Sequence, residues 1–205
     1  MIAKRNHIKI FVASTIYNFE YQLDKIYELL DNYGYDVYMS HKGTVLLNSD
    51  ESNKQNCLNG VKEADIFIGF IRPSYGSGVL KKGDKSITHY EFEEAIKINI
   101  PRFILADYRV VFARSFFKDA FLIEESSSKR ISFNEISFEN NKVMDVNCIK
   151  LYNLAIIDNE KDASKRIGNW VQEYIDFENI KMHLESQFKY PERIKNLIAK
   201  YNKNG

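Results

Sequence analysis

The residues best equipped for chemistry lie in Ser86-Ile87-Thr88-His89-Tyr90-Glu91-Phe92-Glu93-Glu94-Ala95, where a glycine-punctuated loop runs into an acidic helix start. The loop follows a strongly apolar run, Asp65-Ile66-Phe67-Ile68-Gly69-Phe70-Ile71. One carboxylate among neutral donors can accept hydrogen bonds from ribose hydroxyls. It can also steady an oxocarbenium-like centre while a glycosidic bond breaks. Glu91 is the candidate for that work. A purely structural job competes with it, because Thr88-His89-Tyr90-Glu91 has capping-box spacing and lets Glu91 reach back to the Thr88 N–H. Helix geometry puts Phe92, Ala95 and Ile96 on a buried stripe, with Glu91 flanking it on the cleft side. Glu93 points about 200° further around, towards solvent. Glu94, one turn after Glu91, reads as solvated.

Further polar groups cluster after predicted strands. Ser14-Thr15-Ile16-Tyr17 follows the first, Ser40-His41-Lys42-Gly43-Thr44 the second, and Arg72-Pro73-Ser74-Tyr75-Gly76-Ser77-Gly78 the third. Hydroxyls, helix-start N–H groups and glycine turns suit a phosphate-bearing ligand. Tyr17 and Tyr75 suit stacking on a base or pyridine ring. Arg72 fits either a phosphate clamp or a strand-end surface residue, and Ser14 and Thr15 fit either ligand contacts or helix caps. His41 and His89 read as polar surface groups. His7, His41, His89 and His183 have no ligand spacing, so no metal site is expected. Cys57 and Cys148 lie far apart and read as reduced core thiols. There is no Gly-x-Gly-x-x-Gly, no phosphate-loop Gly-Lys-Ser/Thr and no serine-hydrolase elbow.

The elements that must position these groups alternate. Residues 8–13 read as a buried strand. Phe19, Leu23, Ile26, Leu29 and Leu30 recur at helical spacing up to the stop at Gly34. A strand over Tyr35–Met39 follows, then a helix opened by Ser52-Asn53-Lys54-Gln55 and running to Ala64. The third strand is 65–71. A loop of about sixteen residues comes next, longer than compact domains usually carry without a function. A helix over 89–99 and a strand over 101–106 complete a β-α-β-α-β-α-β order. That order implies right-handed crossovers and a mainly parallel sheet covered on both faces. In such a sheet every segment following a strand emerges at one edge, the ligand-binding edge of α/β folds. Beyond Asp107 the pattern predicts an amphipathic helix over 109–123 and a hairpin pairing Ile131–Phe138 with Val143–Leu151. A long helix marked by Ile167, Trp170, Val171, Tyr174 and Ile175 follows, interrupted by Pro191 before a short final one.

Bulk composition restricts the function classes. The 205 residues are 44% hydrophobic and 14% aromatic, which excludes disorder and predicts one domain with a sizeable core. A formal charge of +1 gives no footprint for nucleic acid or an anionic membrane. No signal-peptide pattern or membrane-length apolar stretch is present, so a cytoplasmic protein is expected.

The joint pattern resembles a bacterial TIR-like family, often described only as a domain of unknown function at the N-terminus of larger proteins. The likeness runs through Ile10-Phe11-Val12-Ala13-Ser14-Thr15, Gly43-Thr44-Val45, Asn56-Cys57-Leu58, Asp65 to Gly69, Tyr75-Gly76-Ser77-Gly78, Ser86 to Ala95 and Pro101-Arg102-Phe103. It covers about residues 8–106. Ala13, Arg72-Pro73-Ser74 and His89-Tyr90 depart from the usual pattern. The family is related to TIR domains and, more distantly, to nucleoside deoxyribosyltransferases.

The resemblance implies a flavodoxin-like α/β fold, with a TIR-like domain over 1–125 and a C-terminal extension over 126–205 packed on it or continuing it. It implies NAD as a substrate rather than a cofactor, cleaved at the nicotinamide–ribose bond to a linear or cyclic ADP-ribose product, often in antiviral defence signalling. Glu91 would be catalytic, and its spacing to Ala95 matches the nucleophile position of the deoxyribosyltransferases. Ser14, Thr15, Tyr17, Arg72, Tyr75 and Ser86 would bind the dinucleotide. Self-association to a composite site, and an effector protein or upstream sensor as partner, are also implied. A non-catalytic nucleotide-sensing or assembly module and a deoxyribosyltransferase-like enzyme are the alternatives.

Overall fold

The computed structural model describes residues 7–79, 81, 84–120, 143–156 and 170–204. Five strands, β1 (Lys9–Ala13), β2 (Asp36–Tyr38), β3 (Ile66–Ile71), β4 (Arg102–Asp107) and β5 (Val171–Tyr174), form one sheet in the order β2-β1-β3-β4-β5. Every pairing is parallel, with Ala13 beside Gly69, Ile71 beside Ala106 and Asp107 beside Tyr174 at the C-terminal edge. β3 lies at the centre and all six of its residues are buried, as a strand covered on both faces requires.

Among the described residues seven α-helices surround the sheet: α1 (Glu20–Asn32), α2 (Asn53–Glu63), α3 (Ile87–Lys97), α4 (Tyr108–Ala120), α5 (Asn147–Ile156), α6 (Phe177–Phe188) and α7 (Pro191–Asn204). Strand residues alternate between two cores. Ile10, Val12, Ile68 and Phe70 pack with Leu23, Ile26 and Leu30 of α1 and with Ile180, Leu184 and Phe188 of α6. Phe11, Phe67 and Ile71 pack with Val61 of α2, Phe92 and Ala95 of α3, and Leu151 and Ala155 of α5. Local signals act as expected where they are strong. Ser52 caps α2 by accepting from Gln55 N–H, and Gly34, at φ +86°, ends α1 with its N–H on the Asp31 carbonyl.

The C-terminal half corrects two expectations. The second arm of the proposed hairpin, Val143–Leu151, is largely helical: α5 begins at Asn147, whose N–H is held by the Asp145 carboxylate at 2.8 Å. Cys148, Leu151 and Ala155 recur at three- and four-residue spacing and meet the sheet, a pattern too short to be told from a strand by periodicity alone. The first arm, 131–138, lies outside the described residues. The long helix expected from Ile167 is also corrected. Val171–Tyr174 is β5, and α6 starts only at Phe177, after the Asp176 cap. Four residues with apolar positions at both ends mimic a helical turn, whereas the open edge of β4 offers a ladder of backbone partners. Pro191 occupies the first position of α7, where its missing N–H costs nothing, and that helix runs for 14 residues rather than being short.

Candidate functional site

In the order β2-β1-β3-β4-β5 the chain reverses direction between β1 and β3, and the crevice at their C-terminal ends is where doubly wound sheets bind ligands. Two loops wall that crevice, one after β1 and one after β3. They touch at Gly76. A Cβ on this residue would lie 3.0 Å from Thr15 Oγ1 and 3.5 Å from Ser86 Cβ, and its φ of +102° suits glycine alone. Ser86 is the N-cap of α3 and its Oγ accepts the His89 N–H at 3.2 Å. The Ile87 N–H is held by the Ser77 carbonyl at 3.0 Å. The close approach of loop to helix start thus brings Thr15, Gly76 and Ser86 together at the switch point.

With Ser86 as the cap, Glu91 sits about one and a half turns into α3 and has no capping role. The cap expected at Thr88 is therefore corrected: the N-cap is Ser86, two residues earlier. Glu91 is 4% exposed. The thiol of Cys57, on the neighbouring α2, stands near the carboxylate. Burial raises the Glu91 carboxyl to about 7, partly offset by the nearby Cys57 thiol, because an ion loses hydration in such a place. Burial, reinforced by the Glu91 charge, pushes the Cys57 thiol up to about 12, which keeps it a neutral S–H donor. Glu93, by contrast, turns outward to pair with Lys85 and to stand 3.7 Å from His89 Nε2. Glu94 lies 3.7 Å from Lys97.

Tyr75 and His89 form a buried pair beneath the same loop. The two rings meet edge to face, and Tyr75 Oη lies 2.7 Å from His89 Nδ1. His89 is 7% exposed, which corrects its reading as a surface group. Burial lowers its pKa, which favours the neutral imidazole. Burial also raises the Tyr75 phenol to about 12. Below this pair, the Pro73 carbonyl accepts from Asp145 N–H at 2.8 Å and from the Cys148 thiol at 3.3 Å. The loop is thereby tied to the start of α5.

Arg72 is committed elsewhere. Its Nη1 donates to the Thr15 and Tyr17 carbonyls at 2.9 and 2.8 Å and its Nη2 to the Asn18 carbonyl at 3.2 Å, while the guanidinium lies over the Phe19 ring. It is a clamp on the β1–α1 loop. Tyr17 is 69% exposed and offers its ring to solvent. Ser14 is half-buried, with its hydroxyl on the Thr15 carbonyl.

The structure thus assembles Thr15, Tyr75 and Ser86 around Gly76, sets Ser14 beside them, and places Glu91 further along α3 against α2. Cys57 and His89 are the members of this neighbourhood that sequence reasoning passed over. Cys57 carried no signal for its contact, since it stands 34 positions before Glu91. Among the described residues no group of three or more His, Cys, Asp or Glu is placed to hold a metal ion, and no helix is long and apolar enough to cross a membrane. A sheltered carboxyl near neutrality, about one and a half turns along α3 from the Ser86 hydroxyl, has the chemistry for hydrogen bonding to a polyol and for stabilising a cation brought beside it.

Fold and crevice define a doubly wound, flavodoxin-like α/β protein. Residues 9–189 match the family model described as Domain of unknown function (DUF4062), and the chain belongs to that family. No curated protein matches the chain.

Proposed function

We propose that this chain is a TIR-like NAD-consuming enzyme that cleaves the nicotinamide–ribose bond, with Glu91 as the catalytic carboxylate. The observation that supports the reading is a buried carboxyl group, raised to about 7, on the helix that follows the central strand into the switch-point crevice. The ribose of NAD hydrogen-bonds to Glu91 as it enters the crevice. The C1′–N bond breaks with its electron pair passing to the pyridinium nitrogen, so nicotinamide leaves neutral and needs no acid. The positive charge passes to the ribose, where ionised Glu91 stabilises it. Water then adds at C1′ and releases a proton, giving ADP-ribose; capture by a nucleophile of the ADP-ribose itself gives a cyclic product. Thr15, Ser86 and the N–H groups at the start of α3 face the phosphates, with Ser14 beside them and Tyr75 beside a ring.

The setting of this activity is cytoplasmic antiviral defence signalling, with self-association and an upstream sensor or effector protein controlling turnover. The shelter of Glu91 behind Cys57 also favours a second reading, a nucleotide-sensing module that binds without turnover. Incubation with NAD at high protein concentration, followed by chromatography, separates the two. Free nicotinamide from the native chain and none from Glu91→Gln supports the enzyme. Saturable NAD binding without product, under assembling conditions, supports the module. Base exchange on deoxynucleosides would instead identify a deoxyribosyltransferase.

A further inference from the structure

The opposite, N-terminal edge of the sheet holds a cavity of about 680 Å³ where β4 and β5 begin, walled by α5 and by one face of α7. We propose that it binds a small aromatic anion of nucleoside monophosphate size. The volume lies within the range of small-molecule sites. Arg102, Arg193 and Lys200 contribute three positive charges to its lining, and among the described residues no Asp or Glu lines it. Among the described residues no carboxylate forms an ion pair with these three. In a chain of net charge +1, that local excess is a feature of this cavity rather than of the whole surface.

The helix period explains the arrangement. Arg193 and Lys200 stand seven residues apart on α7 and so share a face. Arg102 is fixed more tightly, because its Nη1 donates to the Ala95 and Ile100 carbonyls at 3.2 and 2.9 Å. Its Nε is buried with no acceptor, an unspent donor of the kind folded proteins rarely leave. Tyr152, Tyr201 and Trp170 supply aromatic surface beside the cations. Trp170 is 74% exposed, an indole face left available for stacking. Cations fixed beside flat aromatic faces recognise a planar base and its phosphate together, whereas either part alone meets only half of the site.

Trp170 is the chain's single tryptophan and reports directly on this cavity. The full chain is titrated with AMP and GMP, and with adenosine as the uncharged control, following tryptophan fluorescence and confirming by calorimetry. The expected result is a saturable change with a nucleotide, binding about tenfold weaker for adenosine, and a similar loss in Arg193→Ala/Lys200→Ala. The circular dichroism of that double variant stays native, and Glu91→Gln binds as the native chain does. The proposal is overturned by no saturable binding of either nucleotide, by equal affinity for adenosine, or by indifference to the double substitution. Loss of binding in Glu91→Gln would also overturn it by placing the ligand at the other edge.

Discussion

Tyr75 Oη and His89 Nδ1, 2.7 Å apart, join the long β3–α3 loop to the first turn of the helix that carries Glu91. Both side chains are buried, so the bond has no water to replace it. Tyr75→Phe removes only the hydroxyl and leaves the imidazole Nδ1 unpaired. The expected cost is about 1–3 kcal/mol in urea unfolding. Since burial lowers the His89 pKa, its contribution to stability is complete above the ordinary imidazole range and is lost as pH falls through the folded value.

Glu91 has the opposite dependence. Its folded pKa, raised to about 7 from the ordinary 4.5, stabilises the folded chain fully below about pH 4.5, and this contribution disappears as pH rises through 7. The span corresponds to roughly 3 kcal/mol. Glu91→Gln should therefore flatten the stability profile between pH 4.5 and 7 and raise the melting temperature at pH 8 relative to the native chain. Nicotinamide release by the native chain should increase with pH through about 7, following the ionised carboxylate. An unchanged stability profile in Glu91→Gln would contradict the burial assigned to this group.

Gly69 is the point at which α3 rests on β3. A Cβ there would fall 2.3 Å from Phe92 Cζ and 2.9 Å from Ile104 Cδ1. Gly69→Ala should destabilise the chain by about 1–3 kcal/mol through overpacking. Shortening the opposing ring should recover part of that loss, so Gly69→Ala/Phe92→Leu is expected to be less unstable than the sum of its single variants in thermal unfolding.

Arg72 distinguishes a loop clamp from a phosphate ligand. Arg72→Lys keeps the charge but loses the fork that reaches three carbonyls. A cost of about 1.5–3 kcal/mol is expected, with faster amide exchange in residues 15–19. A change confined to KM for NAD, with exchange and stability intact, would show that the side chain serves ligand instead.

The sheet was legible up to β4 because each element there carries a strong local signal: a fully apolar β3, a serine cap before α2, a glycine after α1. The chain belongs to a family of unknown function, as its resemblance led one to expect, and the family match runs well past residue 106 to residue 189. β5 was hidden for a physical reason. Its four residues gain their identity from Ile104 to Asp107 on the neighbouring strand, and no local pattern encodes a partner so distant. The location of Glu91 on the post-β3 helix was equally legible, but its acidity was not, because that depends on how completely the packed fold buries it. Arg72 shows the converse. Its position at a strand end was correct, but its donors go to main-chain carbonyls that the next-door loop happens to present.

α3 is gripped along its whole length. Ser86 and the Tyr75–His89 pair fix its first turn, Phe92 presses its middle against Gly69, and Arg102 holds the Ala95 carbonyl near its end. Its 11 residues extend about 16 Å, most of the way between the two edges of the sheet. Such a helix is a strut rather than a flexible arm, and it shifts as one piece or not at all. The acidity of Glu91 is thus set by the seating of the entire strut, and loosening the far bolt at Arg102 would retune a carboxyl group it never touches.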